Sequence, residues 1–216
     1  MIIGASKGIA LAVVQLLLQE GWQVTATYRS TAVSFQHPQL QWLALDITDG
    51  AQRAALVRQL GDAPFDRILI NAGILGPHAS QLRDVDDAQL SELFFTNAVA
   101  PVRLAESLLP LLHDKQSVLG LTTSRLASLN ENRDAAMPFY SASKAALNML
   151  SRSLATQMHK QGSTLLSLHP GWVKTDMGGE GARISPSPRV RRAWSHSCSS
   201  LAGVAATTTW ITAASC

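Results

Sequence analysis

The chain has 216 residues, 46% of them apolar and 15% charged, which suits one globular domain and argues against disorder. Its net charge of +3 is confined to the tail, where residues 180–216 hold Arg183, Arg189, Arg191 and Arg192 against Glu180 alone; the neutral body offers no basic face, so no nucleic-acid partner is expected. No apolar run approaches the roughly 18 residues that span a bilayer, Gly4 arrives too early for a signal peptide, and Cys198 and Cys216 make neither a disulfide framework nor a metal site, so a cytoplasmic protein with no membrane partner and no metal is expected.

In chain order, Ile2-Ile3 is a short apolar strand stub, followed at once by Gly4-Ala5-Ser6-Lys7-Gly8-Ile9-Ala10. Residues 9–20 read as an apolar helix closed by Gly21. Residues 23–28 are β-branched and aromatic, a strand signal, and residues 42–45 form a second short strand ending at Asp46. Helix is expected over 51–60, a buried strand over 67–70 ending at Asn71-Ala72-Gly73, and helix again over 88–109 with an irregularity at Pro101. A strand over 118–122, a long helix over 140–161 stopped by Gly162, and a last clear strand over 164–168 ending at His169-Pro170-Gly171 complete the pattern.

Short apolar strands alternating with helices imply an α/β fold: a single doubly wound parallel sheet of Rossmann type with helices on both faces. Ligands in such sheets sit beyond the carboxyl ends of the strands. Gly4, Arg29, Asp46, Asn71, Ser124 and Pro170 all fall there.

Gly4-x-x-x-Gly8-x-Ala10 lies between a strand and a helix, the context in which a glycine turn cradles a pyrophosphate at a helix N-terminus. Alone the motif is weak, because glycines after a strand usually make only a turn. Arg29 strengthens it. About 20 residues past the glycines, NAD-binding chains carry an acid for the ribose 2′-hydroxyl. Here Tyr28-Arg29-Ser30 has no carboxylate, and a guanidinium suits a 2′-phosphate, with Lys7 as a second cation. NADP(H) is therefore expected over NAD(H); the bland alternative is two solvated surface cations.

Tyr140 and Lys144 stand four residues apart on one helix and so share a face. A nearby ammonium is expected to lower the tyrosine pKa from about 10 and improve it as a proton donor and acceptor. The spacing alone is common and gains weight only in company. Ser124 follows the strand over 118–122, Asn97 lies in a helix that disfavours asparagine, Gly73 permits close approach to a ligand, and Pro170-Gly171 ends the last strand with Thr175 just beyond. Each has an ordinary reading as a loop or surface residue.

Taken as an ordered set, Gly4-x3-Gly8-x-Ala10, Asp46, Asn71-Ala72-Gly73, Asn97, Ser124, Tyr140-x3-Lys144 and Pro170-Gly171 resemble the short-chain dehydrogenase/reductase family over roughly residues 1–179. The stretches Glu131-Asn132-Arg133, Ser143 to Met149, and His169 to Gly179 resemble its C-factor-like and sniffer-like carbonyl reductase subgroup. The resemblance implies that Tyr140 gives a proton to a small-molecule carbonyl while hydride moves from the nicotinamide. It implies that Ser124 orients that carbonyl, with Thr123 the fallback if the register shifts by one. Lys144 would bind the nicotinamide ribose, and Asn97 would support a water relay to Lys144. Ser6 and Ile9 join the glycine turn in the cofactor set. Asp46 and Ile47 would face the adenine, Asn71, Ala72 and Gly73 the adenosine ribose side, and Val173 and Thr175, after Pro170-Gly171, the nicotinamide amide. A homodimer is implied as well.

The chain departs from that family at both ends. Relatives have a longer first strand, so the natural start is expected upstream. From Glu180 the chain turns Ser-, Arg-, Thr- and Ala-rich and resembles neither the helix nor the final strand of relatives. Residues 1–179 thus read as the cofactor-binding and catalytic domain, and 180–216 as an atypical tail whose C-terminal helix and strand are aberrant or missing. A frameshift in the coding sequence near residue 187 and a divergent or disordered tail are the two explanations. The leading function is NADPH-dependent carbonyl reduction; the alternative is a cofactor-binding signalling or scaffold protein with little turnover.

Overall fold

The computed structural model describes residues 1–79, 81–113 and 115–171, and the backbone of 209–212. Seven strands form one sheet: β1 (Ile2–Ile3), β2 (Val24–Tyr28), β3 (Leu40–Ala44), β4 (Arg67–Ile70), β5 (Val118–Thr122), β6 (Thr164–His169) and β7 (Thr209–Thr212). Their order is β3-β2-β1-β4-β5-β6-β7, and every pairing is parallel. The chain therefore winds outward from β1 in both directions, and the reversal between β1 and β4 opens a crevice at the strands' carboxyl ends.

Among the described residues, five α-helices accompany the sheet: α1 (Gly8–Gln19), α2 (Gly50–Leu60), α3 (Asp87–Phe94), α4 (Ala100–Leu108) and α5 (Pro138–Gln161). Val13, Val14, Leu17 and Leu18 of α1 pack with Ile2, Ala26, Leu69 and Leu166 on one side of the sheet. Leu56 of α2, Leu104 and Leu108 of α4, and Leu147 and Leu154 of α5 pack with Ile3, Ile68, Ile70, Leu119 and Leu121 on the other. Alternate residues of β1 and β4 thus enter opposite cores, which is why these strands are apolar without interruption. Burying each Leu or Ile contributes about 1.5–3 kcal/mol before entropy is counted.

One element differs from expectation. The helix expected over 88–109 is α3 and α4 joined by a π-helical turn at Phe95–Val99 and finished by a 3₁₀ turn at Leu109–Leu111. The irregularity precedes Pro101 because proline disturbs the carbonyl four residues before it, that of Asn97. In the tail, whose final strand is expected to be aberrant or missing, Thr209-Trp210-Ile211-Thr212 pairs with residues 166–169 of β6. β-branched and aromatic residues favour a strand there despite the tail's composition. The rest of 180–216 lies outside the described residues.

Candidate active site

Gly4 ends β1 with φ +76°, and a side chain there would put its Cβ 2.9 Å from the backbone of Ala72. Only glycine meets both conditions. The turn is fastened by Thr27 of β2, whose hydroxyl accepts from Gly4 N at 2.9 Å while its carbonyl accepts from Ala5 N at 2.7 Å. Helix α1 starts at once with Gly8, no side chain caps it at Lys7, and its first turn holds no acid. Its leading N–H groups and the positive end of its dipole face the crevice. Ser6 and Ile9 are partly exposed beside it, and Lys7 is exposed. Arg29, just past β2, is also exposed.

Asp46 and Ile47 follow β3 and differ in role. Asp46 Oδ1 accepts from Thr48 N at 2.8 Å and Thr48 Oγ1 at 2.6 Å, which fixes the turn into α2. The Ile47 side chain lies in the main core at 5% exposure, and its carbonyl accepts from Arg53.

On the other side of the crevice, the Ser124 hydroxyl lies beside the Tyr140 phenol, close enough to favour its ionised form. Ser124 is 6% exposed, and its Oγ also accepts from Leu126 N at 3.2 Å. Thr123, the fallback, points away: its hydroxyl donates to Asn148 Oδ1 at 2.8 Å. Lys144 is 3% exposed, donates from Nζ to Thr122 O at 3.0 Å, and lies 5.9 Å from the Tyr140 ring centroid.

The expected lowering of the Tyr140 pKa does not emerge: burial pushes the phenol up to about 12, and the Ser124 hydroxyl only partly opposes that. Lys144 is itself pulled down to about 8 by burial. Desolvation disfavours the charged form of each group and here outweighs their proximity. A phenol with its pKa raised in this way keeps its proton at neutral pH.

Asn97 occupies the π-helical turn and is fully buried. Its Oδ1 accepts from Ile74 N at 2.8 Å, and its Nδ2 donates to Ile74 O at 2.8 Å and to Ser143 Oγ at 3.0 Å. Both N–H groups of the amide are used, so it clamps the segment after β4 and has no N–H left for a water. Pro101 lacks the N–H that an α-helix would direct at the Asn97 carbonyl. Asn71, at the end of β4, accepts from Thr122 Oγ1 at 3.0 Å, and a Cβ on Gly73 would fall 3.0 Å from Asn97 Oδ1 and 3.3 Å from Lys144 Nζ. Ala72, Pro170 and Gly171 are half-buried at the same edge. Val173 and Thr175 lie outside the described residues. Among the described residues no group of three His, Cys, Asp or Glu side chains is placed to hold a metal, and no helix is long and apolar enough to cross a membrane.

Thr27, Ser143 and Asn132 escaped the sequence reading as site residues. Only Thr27, a polar residue between apolar neighbours on a buried strand, left a local signal. Ser143 bonds to Asn97, 46 residues away, and Asn132 bonds within its own irregular segment, where no periodic pattern marks it.

The model of the short chain dehydrogenase family matches residues 1–183. The chain belongs to that family. Among curated short-chain dehydrogenases and their kin, the C-signal of Myxococcus xanthus is 41% identical over 131 residues, 59% of this chain and 77% of that one. A carbonyl reductase from Pseudomonas aeruginosa PAO1, solved in complex with NADP, superposes with a TM-score of 0.74 at 38% identity, over 84% of this chain and 83% of that one. The carbonyl reductase Sniffer of D. melanogaster superposes at 0.76 with 29% identity, over 85% and 84%. C-factor-like and sniffer-like relatives are thus those of this short-chain dehydrogenase.

Proposed function

We propose that this short-chain dehydrogenase reduces an aldehyde or ketone to an alcohol at the expense of NADPH. The observation that carries the reading is the Ser124 hydroxyl beside the Tyr140 phenol, with Lys144 buried near the ring. The residues present fit NADP(H): a glycine turn with positive φ, a helix N-terminus with no capping side chain, and an exposed guanidinium at the end of β2 with no carboxylate there. The solved NADP complex of the Pseudomonas reductase supports the same choice. When bound, the cofactor supplies the hydride.

The chain's own residues do the rest. The Gly4–Gly8 turn and the start of α1 hold the pyrophosphate, and Arg29 pairs with the 2′-phosphate. Ser124 donates a hydrogen bond to the carbonyl oxygen and orients it. Tyr140 transfers its proton to that oxygen as the carbon gains hydride, and the product is the neutral alcohol. Lys144 holds the nicotinamide ribose within reach of Tyr140. Residues 1–179 form the catalytic domain in this reading, and the protein acts as a cytoplasmic homodimer, as its resemblance to relatives implies.

The test is NADPH oxidation against a panel of aldehydes, ketones and quinones with wild type and Tyr140→Phe. Wild type is expected to turn over at least one class, and the variant to lose most of that rate while still binding NADPH. Equal rates in both proteins would remove Tyr140 from the mechanism. The 41% identity to C-signal motivates a second reading, a cofactor-binding signalling protein. NADPH binding without turnover of any substrate would favour it.

A further inference from the structure

The segment joining β5 to α5 carries Ser124 at its start and delivers Tyr140 at its end. Ser124 caps a 3₁₀ turn at Arg125–Ala127. The segment then crosses to α5 through Ala135 and Met137, whose φ values are +51° and +50°. Both are left-handed without being glycine, a conformation that persists only where surrounding contacts impose it. Met137 stands directly before α5, three residues ahead of Tyr140.

The contacts that impose it converge on Asn132. Its Nδ2 lies 3.1 Å from each of three acceptors: Leu126 O, Ala136 O and Ser141 Oγ. Its Oδ1 accepts from Ala136 N at 2.9 Å, and its own N–H donates to Ser128 O at 3.0 Å. Ser141 Oγ in turn donates to Ala136 O at 2.7 Å. Leu126 is the residue whose N–H donates to Ser124 Oγ, and Ser141 follows Tyr140 on the helix. One amide therefore ties the turn that aims Ser124 to the first turn of the helix that aims Tyr140. Both ends of the amide are used, as donor and as acceptor, so neither a carboxylate nor an alkyl chain reproduces it.

We propose that Asn132 is a positioning residue that sets the placement of Ser124 relative to Tyr140. It touches neither substrate nor cofactor and works only through the two side chains it registers. The inference rests on the carbonyl-reductase reading for its kinetic consequence, but the environment of the Tyr140 phenol is measurable without turnover. The protein has two tyrosines, Tyr28 and Tyr140. Labelling tyrosine with ¹³C at Cζ gives two resonances, and Tyr28→Phe assigns them.

The experiment compares Asn132→Leu, Asn132→Asp and Ser124→Ala, singly and with Asn132→Leu combined with Ser124→Ala. Asn132→Asp keeps the bond from Ala136 N and serves should Asn132→Leu fail to fold. The expected result is a Tyr140 resonance displaced by each Asn132 variant in the direction that Ser124→Ala displaces it. Turnover is expected to fall about tenfold to hundredfold, the scale of small misplacements of reacting groups, with NADPH affinity held. The Asn132→Leu loss should vanish in the Ser124→Ala background, since both changes break one coupling. A Tyr140 resonance that stays in place in the Asn132 variants, or losses that multiply in the double variant, would overturn the proposal. A wild type without turnover would fail the functional reading alone, and the resonances would still decide the role of Asn132.

Discussion

Gly73 keeps its place by having no side chain. A Cβ there would lie 3.0 Å from Asn97 Oδ1 and 3.3 Å from Lys144 Nζ. Asn97 has little room to yield, because three hydrogen bonds hold it to Ile74 and Ser143. Lys144 can shift its flexible end, but only by giving up its bond to Thr122 O. Gly73→Ala is therefore expected to cost about 1–3 kcal/mol, the usual penalty of overpacking a filled interior, and to lower reductase activity by moving Lys144. Urea unfolding checks the first part, and an unchanged midpoint would show that the pocket relaxes freely. Single residues also show where spacing arguments stop. The Tyr140–Lys144 interval correctly put both groups on one face of α5, but the direction of the Tyr140 shift depends on burial, which spacing does not report.

Among the elements, β4 and β5 were legible to the residue, because an apolar run bounded by Asp66 and Asn71, or by Ser117 and Thr123, has sharp edges. Strand β3 starts at Leu40, earlier than its apolar run suggested, because Leu40 and Gln41 are recruited by register with Val24 and Thr25. The π-helical turn was not legible: a helical pattern with one extra residue keeps its apolar face on both sides. Helix α2 carries its own start signal. Asp49 Oδ1 accepts from Ala51 N at 2.8 Å and Gln52 N at 3.2 Å, and these bonds, the one from Gln52 N foremost, hold its carboxyl below the ordinary value of 3.8. A depressed folded pKa contributes stability that is present above 3.8 and is lost as pH falls through the folded value. Wild type should thus lose melting temperature in that acid window more steeply than Asp49→Asn, which caps without titrating. Parallel melting curves for the two proteins across that window would refute the assignment.

At the scale of the molecule, the sheet order brings the glycine turn after β1, Arg29 after β2, and the Ser124–Tyr140 pair after β5 to one edge. Arg29 is expected to discriminate between the nicotinamide cofactors through a charge-assisted bond worth about 1.5–3 kcal/mol. Arg29→Ala should weaken NADPH binding by about tenfold to hundredfold and leave NADH nearly untouched. Fluorescence titration with both cofactors measures this, and equal losses would show that Arg29 does not read the 2′-phosphate. The sequence by itself determined the alternation of strands and helices, the parallel sheet and the order of the motifs, because these follow from local propensity and apolar runs. Tertiary structure alone decided that Ser124 rather than Thr123 lies beside Tyr140, that burial pushes the phenol pKa up, that the Ile47 side chain packs in the core, and that the Asn132 amide bonds to Leu126, Ala136 and Ser141. Those outcomes arise from burial and from hydrogen bonds between groups on different elements, and the chain specifies such contacts only once it has folded.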